Sequence, residues 1–324
     1  MTERARTIFL GSGSFAVPIV SGLVEHRSVD LVAAVTAPTR RGSRGRPTDP
    51  PVADWATERA LPMLRPARLR DHESLSAIAA LEPELLVLAD YGQLVPTSLL
   101  ELPPHGALNL HPSLLPRHRG AAPIPAAILE GDRETGVSLM RMDVGLDTGP
   151  IVARAHRPLS GAETAPELEG ELARLAASLL AATIDDWLEG RAKAAPQAAE
   201  GATLTRPLRR EDGRLDPSLP AARLERQVRA YQPWPGSFIE TPGGRVVVWR
   251  STVADSSPTS RPGNLLQLAS GALGLATIDG ALELSDVQPA GGRRMSGIEL
   301  LRGRPGLIGS NVLSGTEAGQ SSSA

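Results

Sequence analysis

Side chains able to polarise a carbonyl and move a proton are concentrated between residues 105 and 149. Asn109-Leu110-His111 places an amide and an imidazole two residues apart, at the end of the apolar run 107–110. In an extended segment that spacing sends both side chains off one face. Each can donate a hydrogen bond to a developing oxyanion. Further along, Met142-Asp143-Val144-Gly145-Leu146-Asp147-Thr148-Gly149 supplies carboxylates on a glycine-bounded turn. One of them is suited to orient His111 and favour its charged form. Plainer readings stand beside this one. An isolated histidine near a strand end is more often structural than catalytic. An aspartic-protease reading of Asp-Thr-Gly needs a second such loop, which the sequence does not contain. His105, His111 and His118 invite a metal, but their gaps match neither a helical face nor a standard ligand spacing, so no metal is expected.

A second cluster, Gly11-Ser12-Gly13-Ser14-Phe15-Ala16, has the form of a dinucleotide-binding turn with alanine in its last place. That motif also wants an acid at the end of the second strand to hold a ribose. Here the strand ends Val35-Thr36-Ala37-Pro38 and the next acid is Asp49. A tight turn in an α/β fold is the better reading, and a nicotinamide-dependent oxidoreductase is disfavoured. The chain has no cysteine, which removes disulfides, thiolate metal sites and cysteine nucleophiles. Lys193 is the sole lysine, so the phosphate-loop motif is absent and a Schiff-base lysine is disfavoured.

The elements that must position these groups follow from hydrophobic patterning. Residues 7–10, 31–36 and 85–89 read as buried strands, with helical patterning up to residue 25 and over 73–81. Alternation of this kind points to a doubly wound, Rossmann-like parallel sheet. Residues 136–142 and 150–155 read as two later strands joined by a turn, and 167–188 as a closing helix. The domain expected over 1–189 is followed by an alanine-rich linker at 190–206. After a short helix at 224–231 come β runs at 245–249, 265–268, 273–277 and 281–284. These point to a small β-barrel domain over 207–309. The serine- and glycine-rich stretch 310–324 reads as a disordered tail. With 324 residues, 41% of them hydrophobic and 22% charged, the chain suits two globular domains. Its net charge of −2 gives nucleic-acid binding no global support, so any such role rests on local patches. The first apolar run is too brief for a signal peptide or a membrane span, and a cytoplasmic, monomeric protein is expected.

At the residues singled out first, the sequence resembles the folate-dependent formyltransferases. The resemblance rests on Asn109-x-His111, on Ser113-Leu-Leu-Pro-x-x-Arg119-Gly-Ala-Ala-Pro123-Ile, and on Met142-Asp-x-Gly-Leu-Asp147-Thr-Gly. It implies that Asn109, His111 and Asp147 form a catalytic trio. It also implies that Ser113, Leu114, Leu115 and Pro116 line a folate site, and that Tyr91, Gly92 and Gln93 supply backbone contacts to the pterin. The implied co-substrate is 10-formyltetrahydrofolate, with no metal. Asp90 stands where an alanine commonly precedes Tyr-Gly-Gln.

These motifs fix the reaction class and leave the acceptor open. Phe15-Ala16-Val17-Pro18, Gly131-Asp132-x-Glu134-Thr135-Gly136-Val137 and Tyr231-Gln232-Pro233-Trp234-Pro235-Gly236 are similar to the tRNA-acting branch. The resemblance therefore implies initiator methionyl-tRNA as partner and an OB-like barrel that contacts tRNA. Arg40, Arg41, Arg44 and Arg46, spaced by glycine and serine, form a loop suited to a phosphate backbone. A solvated loop with no partner is the plain alternative. Two other functions remain in view: formylation of an amino-sugar nucleotide, and a catalytically silent module binding RNA or folate.

Overall fold

The computed structural model describes residues 4–41, 47–254 and 260–312. It divides into two compact units. Met1–Ile124, Arg133–Leu159 and Glu167–Arg206 make the first, and Pro125–Asp132, Ser160–Pro166 and Pro207–Ala324 the second.

The strands of the first unit are β1 (Ala5–Gly11), β2 (Val29–Val35), β3 (Arg40–Arg41), β4 (Pro47–Thr48), β5 (Met63–Leu64), β6 (Leu85–Ala89), β7 (Ala107–His111), β8 (Arg119–Gly120), β9 (Glu134–Arg141), β10 (Ile151–Pro158) and β11 (Leu204–Thr205). Its helices include α1 (Ala16–Val24), α2 (Pro51–Glu58), α3 (His72–Ala79) and α4 (Thr97–Leu100). Next along the chain are α5 (Pro123–Glu130), most of which belongs to the second unit, and the long α6 (Ala165–Leu188). Every residue of β6 is buried, because the strand is covered on both faces and paired on both edges. In α1 the buried Ala16, Ile19, Val20 and Leu23 recur at helical spacing.

Seven strands form one sheet in the order β10-β9-β7-β6-β1-β2-β5. The expected parallel sheet is mixed: β9 runs antiparallel to both β7 and β10. The reason is the short connection from β9 to β10. It cannot carry the crossover that a parallel pair requires, so one of the two strands must oppose the rest. The chain moves outward from β1 through β2 to β5 and returns to β6 on the other side, which makes a switch point between β1 and β6. There the Ser12 N–H donates to the Asp90 carbonyl at 2.9 Å. A Cβ on Gly11 would lie 2.8 Å from the Ala89 carbonyl oxygen, and one on Gly13 1.7 Å from the Asp90 carboxyl. The glycines of this turn thus make room for the protein's own atoms.

The second unit adds α7 (Ala221–Ala230), β12 (Ser237–Thr241), β13 (Gly244–Ala254), β14 (Leu265–Gln267), β15 (Leu273–Ala276), β16 (Ala281–Pro289), β17 (Met295–Ser296) and α8 (Gly297–Gly303). Its strands pair antiparallel in the order β12-β13-β16-β15-β14, with β17 on β16. The expected small β-barrel does not close, since no pairing among the described residues joins β14 to β12. Both edges are covered by other backbone instead. Leu215 donates to the Phe238 carbonyl at 2.9 Å beside β12, while Leu265 and Ser310 bond at 2.8 Å beside β14. An edge covered in this way does not need closure. Leu224 and Val228 of α7 pack with Val246, Val248, Leu275 and Leu284 of the sheet. The Leu129 carbonyl accepts from Arg223 and, at 3.0 Å, from Arg226; the Glu163 carbonyl accepts from Arg229 at 2.9 Å. Segments 125–132 and 160–166 are thereby tied to α7.

The stretch expected as a linker is folded against the first unit: Ala195 bridges Ile151, and β11 pairs with β8. Of the expected tail, Val312 is buried in the core of the second unit, and residues 313–324 lie outside the described residues.

Leu224 is fully buried and Ile278 is 63% exposed. Leu224→Ala should therefore destabilise the protein by about 2–5 kcal/mol through the cavity it leaves. Ile278→Ala should stay within about 0.5 kcal/mol. Urea unfolding of both variants beside the parent measures the difference.

Candidate active site

The site begins at the carboxyl end of β7. Asn109 faces Leu88 of β6 and Met140 of β9, and His111 faces Ser138 of β9. Asn109 is half-buried, and its side-chain amide makes no hydrogen bond to another described residue. An amide left open at a strand end is available to a ligand. His111 is only 5% exposed. Its Nε2 lies 2.9 Å from the His118 carbonyl oxygen. A carbonyl only accepts, so Nε2 carries the proton and Nδ1 is the atom left for chemistry.

Asp147 stands on the Nδ1 side, its Oδ2 at 3.7 Å. That distance gives charge attraction without a direct hydrogen bond. The same oxygen accepts the Gly120 N–H at 2.7 Å. The other carboxylate of this turn is used locally: Asp143 Oδ1 accepts from the Gly145 N–H at 3.0 Å and the Thr148 hydroxyl at 2.7 Å. Geometry thus separates two acids that share one motif. The imidazole itself is fixed by the His118 carbonyl, a group the sequence did not single out for this role.

Residues 112–120 form the wall of the site and fold against it tightly. Ser113 is fully buried, and its hydroxyl donates to the Arg117 carbonyl at 2.7 Å. The Ser138 hydroxyl donates to the Ser113 carbonyl at 2.7 Å and accepts the Leu115 N–H at 3.0 Å. Leu115 packs inward with Met140 and Ile151, whereas Leu114 and Pro116 are half-buried. His118 adopts φ of 58° and Gly120 φ of 99°. A Cβ on Gly120 would lie 2.2 Å from the Thr205 carbonyl oxygen, so only glycine fits there.

Tyr91 lies in the core beside Leu88 and Leu99, and burial pushes its phenol up to about 12. Gln93 uses its side chain on the neighbouring loop, accepting from the Leu69 N–H at 2.9 Å and donating to the Pro66 carbonyl at 3.2 Å. Gly92, at φ of 78°, is exposed and has open space where a Cβ would sit. Asp90 is exposed as a residue, but its carboxyl turns in over Gly13. Desolvation there, and then the Glu169 charge, raise its pKa. Arg40 and Arg41 of β3 pair with Thr48 and Pro47 of β4, and beside them Arg65 donates to Asp49 at 2.9 Å and to Thr39 at 3.0 Å. Arg44 and Arg46 lie outside the described residues, as do the side chains of Arg40 and Arg41.

Both halves of the sequence have known relatives. Residues 5–184 match the family model described as formyl transferase, and residues 207–305 the formyl transferase C-terminal domain. A methionyl-tRNA formyltransferase of Halorhodospira halophila is 42% identical over 301 residues, covering 93% of this chain and 96% of that protein. Among solved structures, an N-formyltransferase from Helicobacter canadensis in complex with folinic acid and dTDP-3-aminofucose has a TM-score of 0.65 at 16% identity. That match covers 86% of this chain and 99% of the other. HypX from Aquifex aeolicus, in complex with tetrahydrofolic acid, has a TM-score of 0.58 at 19% identity over 92% of this chain. This chain spans 47% of the HypX chain's length. At such identities the structures speak for the fold alone. The family models account for both halves of the sequence, and with the 42% identity they establish that this chain belongs to the formyl transferase family.

Proposed function

We propose that this chain transfers the formyl group of 10-formyltetrahydrofolate to the α-amino group of initiator methionyl-tRNA, working as a cytoplasmic monomer. The observation that carries the acceptor is the 42% identity to the Halorhodospira halophila protein, which extends over nearly the whole of both chains. The chemistry rests on Asn109, His111 and Asp147. As the amine nitrogen attacks the formyl carbon, the carbonyl electron pair moves onto oxygen. Asn109, through its open amide, and His111, through a protonated Nδ1, donate to that oxygen. Asp147 accepts the proton that the amine sheds. The proton reaches the departing folate nitrogen as the old carbon–nitrogen bond breaks and the carbonyl re-forms. No metal enters this scheme.

In this reading the folate lies along the backbone of 91–93, exposed at Gly92, with Leu114 and Pro116 as its apolar wall. Ser113 and Leu115 support that wall from behind. The second unit, for which we propose an OB-like role, contacts the tRNA together with the arginine loop. The test is incubation with 10-formyltetrahydrofolate and charged initiator tRNA, read as formyl-methionine. Formylation of an amino-sugar nucleotide in place of Met-tRNA would overturn the acceptor and keep the reaction class. No formyl transfer to either would favour the silent binding module.

Two measurements on variants follow. Asn109→Ala, His111→Ala and Asp147→Asn should each lower turnover by at least about 10²-fold, the size expected for oxyanion and proton-transfer groups. Near-normal turnover in a folded variant would remove that residue from its role. Replacing Arg40, Arg41, Arg44 and Arg46 together with serine should weaken use of Met-tRNA. It should also flatten the log–log dependence of affinity on salt, by roughly 0.7–0.9 for each phosphate the loop no longer neutralises. A loop without a partner would leave both quantities unchanged.

A further inference from the structure

We infer that Gln197 is a positioning residue for Asp147; this rests on the proposed role of Asp147. The Gln197 Nε2 donates to the Asp147 carbonyl at 2.8 Å and to the Gly149 carbonyl at 2.8 Å. Its Oε1 accepts from Arg119 Nε at 3.1 Å and from the far guanidinium nitrogen at 2.7 Å. The orientation of this amide is decided by its partners. Carbonyls only accept and a guanidinium only donates, so the nitrogen must face the 147–149 turn and the oxygen Arg119. One side chain therefore joins the turn that carries the acid to the strand whose Gly120 N–H holds that acid's Oδ2.

The turn needs such an anchor. Residues 143–146 are exposed, with Val144 at 80%, so little packing holds them. Asp147 also adopts φ of 53°, a left-handed conformation that costs energy for a residue with a Cβ and persists only when its surroundings impose it. The local bonds of Asp143 shape the turn internally and do not fix it against His111. Gln197 fixes it by its backbone, while Gly120 fixes the carboxylate. Together they set the 3.7 Å between Asp147 Oδ2 and His111 Nδ1. Proton transfer is steep in distance, and a displacement of an ångström is enough to slow it greatly.

The rest of the segment supports this role. Thr203 accepts the His118 N–H at 2.8 Å through its hydroxyl, and its carbonyl accepts the Arg119 N–H at 2.9 Å. The Thr205 hydroxyl donates to the Arg119 carbonyl at 2.9 Å. Residues 197–205 thus bond the backbone of both residues that flank His111: His118, whose carbonyl meets one ring nitrogen, and Asp147, whose carboxylate faces the other.

Gln197→Glu separates positioning from packing, because it keeps the length of the side chain and its bond to Arg119. It replaces both donors with an oxygen facing two carbonyls. Gln197→Ala removes every bond. Both variants should lower kcat of formyl transfer to Met-tRNA by roughly 10- to 100-fold. The KM values for tRNA and formyl-folate should stay within about twofold, because the loss falls on a group acting in the transition state. In an Asp147→Asn background, Gln197→Glu should slow the reaction no further, since the two changes act through one carboxylate. Turnover within about threefold of the parent in both variants, a matching rise in KM, or full additivity with Asp147→Asn would overturn the proposal. Near-normal turnover of Asp147→Asn alone is a different result. It would remove the assignment of Asp147 itself, whatever the Gln197 variants do.

Discussion

A buried imidazole has to satisfy one ring nitrogen before the other can do chemistry, and that requirement organises this site. His111 is nearly closed off from solvent and gives its Nε2 to the His118 carbonyl. To present that carbonyl, the chain must double back within seven residues of His111. The bend is made possible by a left-handed His118 and a left-handed Gly120. Ser113 and Ser138, fully buried, satisfy backbone groups that the bend would otherwise strand away from water. Polar residues inside this wall are thus explained by the imidazole they support, and the apolar residues that remain half-exposed, Leu114 and Pro116, form its outer surface.

The sheet serves the same end. With β9 antiparallel to β7, Arg141 pairs with Leu108 and the Met142 N–H bonds the Ala107 carbonyl at 2.8 Å, so the turn after β9 leaves from the amino end of β7. The glycine at 149 lets the turn close, because a Cβ there would lie 1.9 Å from the Arg141 carbonyl oxygen. Acid and imidazole meet through the chain that doubles back after β7: the Gly120 N–H holds Asp147 Oδ2, which lies 3.7 Å from His111 Nδ1.

Much of this was legible in the sequence where one physical signal dominates. The strand 85–89 shows an unbroken apolar run because both its faces are covered, and α7 shows helical spacing because one face is. Asn109 and His111 sit two apart on one strand, so their shared face is a local property. Other features are not local. Asp143 and Asp147 occupy the same turn, and only the bonds to Gly145 and Thr148 show which of them is already used. Gln197 lies among alanines, and its partners are 50 and 78 residues away, so no periodicity marks it. The helix α8 is short and bounded by glycines. Its one local mark was the reciprocal cap between Ser296 and Glu299, which the β-rich reading of this region passed over.

The second unit draws two short stretches, 125–132 and 160–166, from the middle of the polypeptide that otherwise builds the first. Those stretches supply the Leu129 and Glu163 carbonyls on which three arginines of α7 close. The family model for the C-terminal domain starts only at residue 207. A gene segment cut at that boundary would encode the sheet and α7 without the acceptors α7 grips. The two halves are thus not interchangeable cassettes. Recombination that moved the C-terminal half alone would leave Arg223 and Arg226 to find water or new partners, and Arg229 with Glu225 of its own helix alone, which favours inheritance of the two halves as one piece.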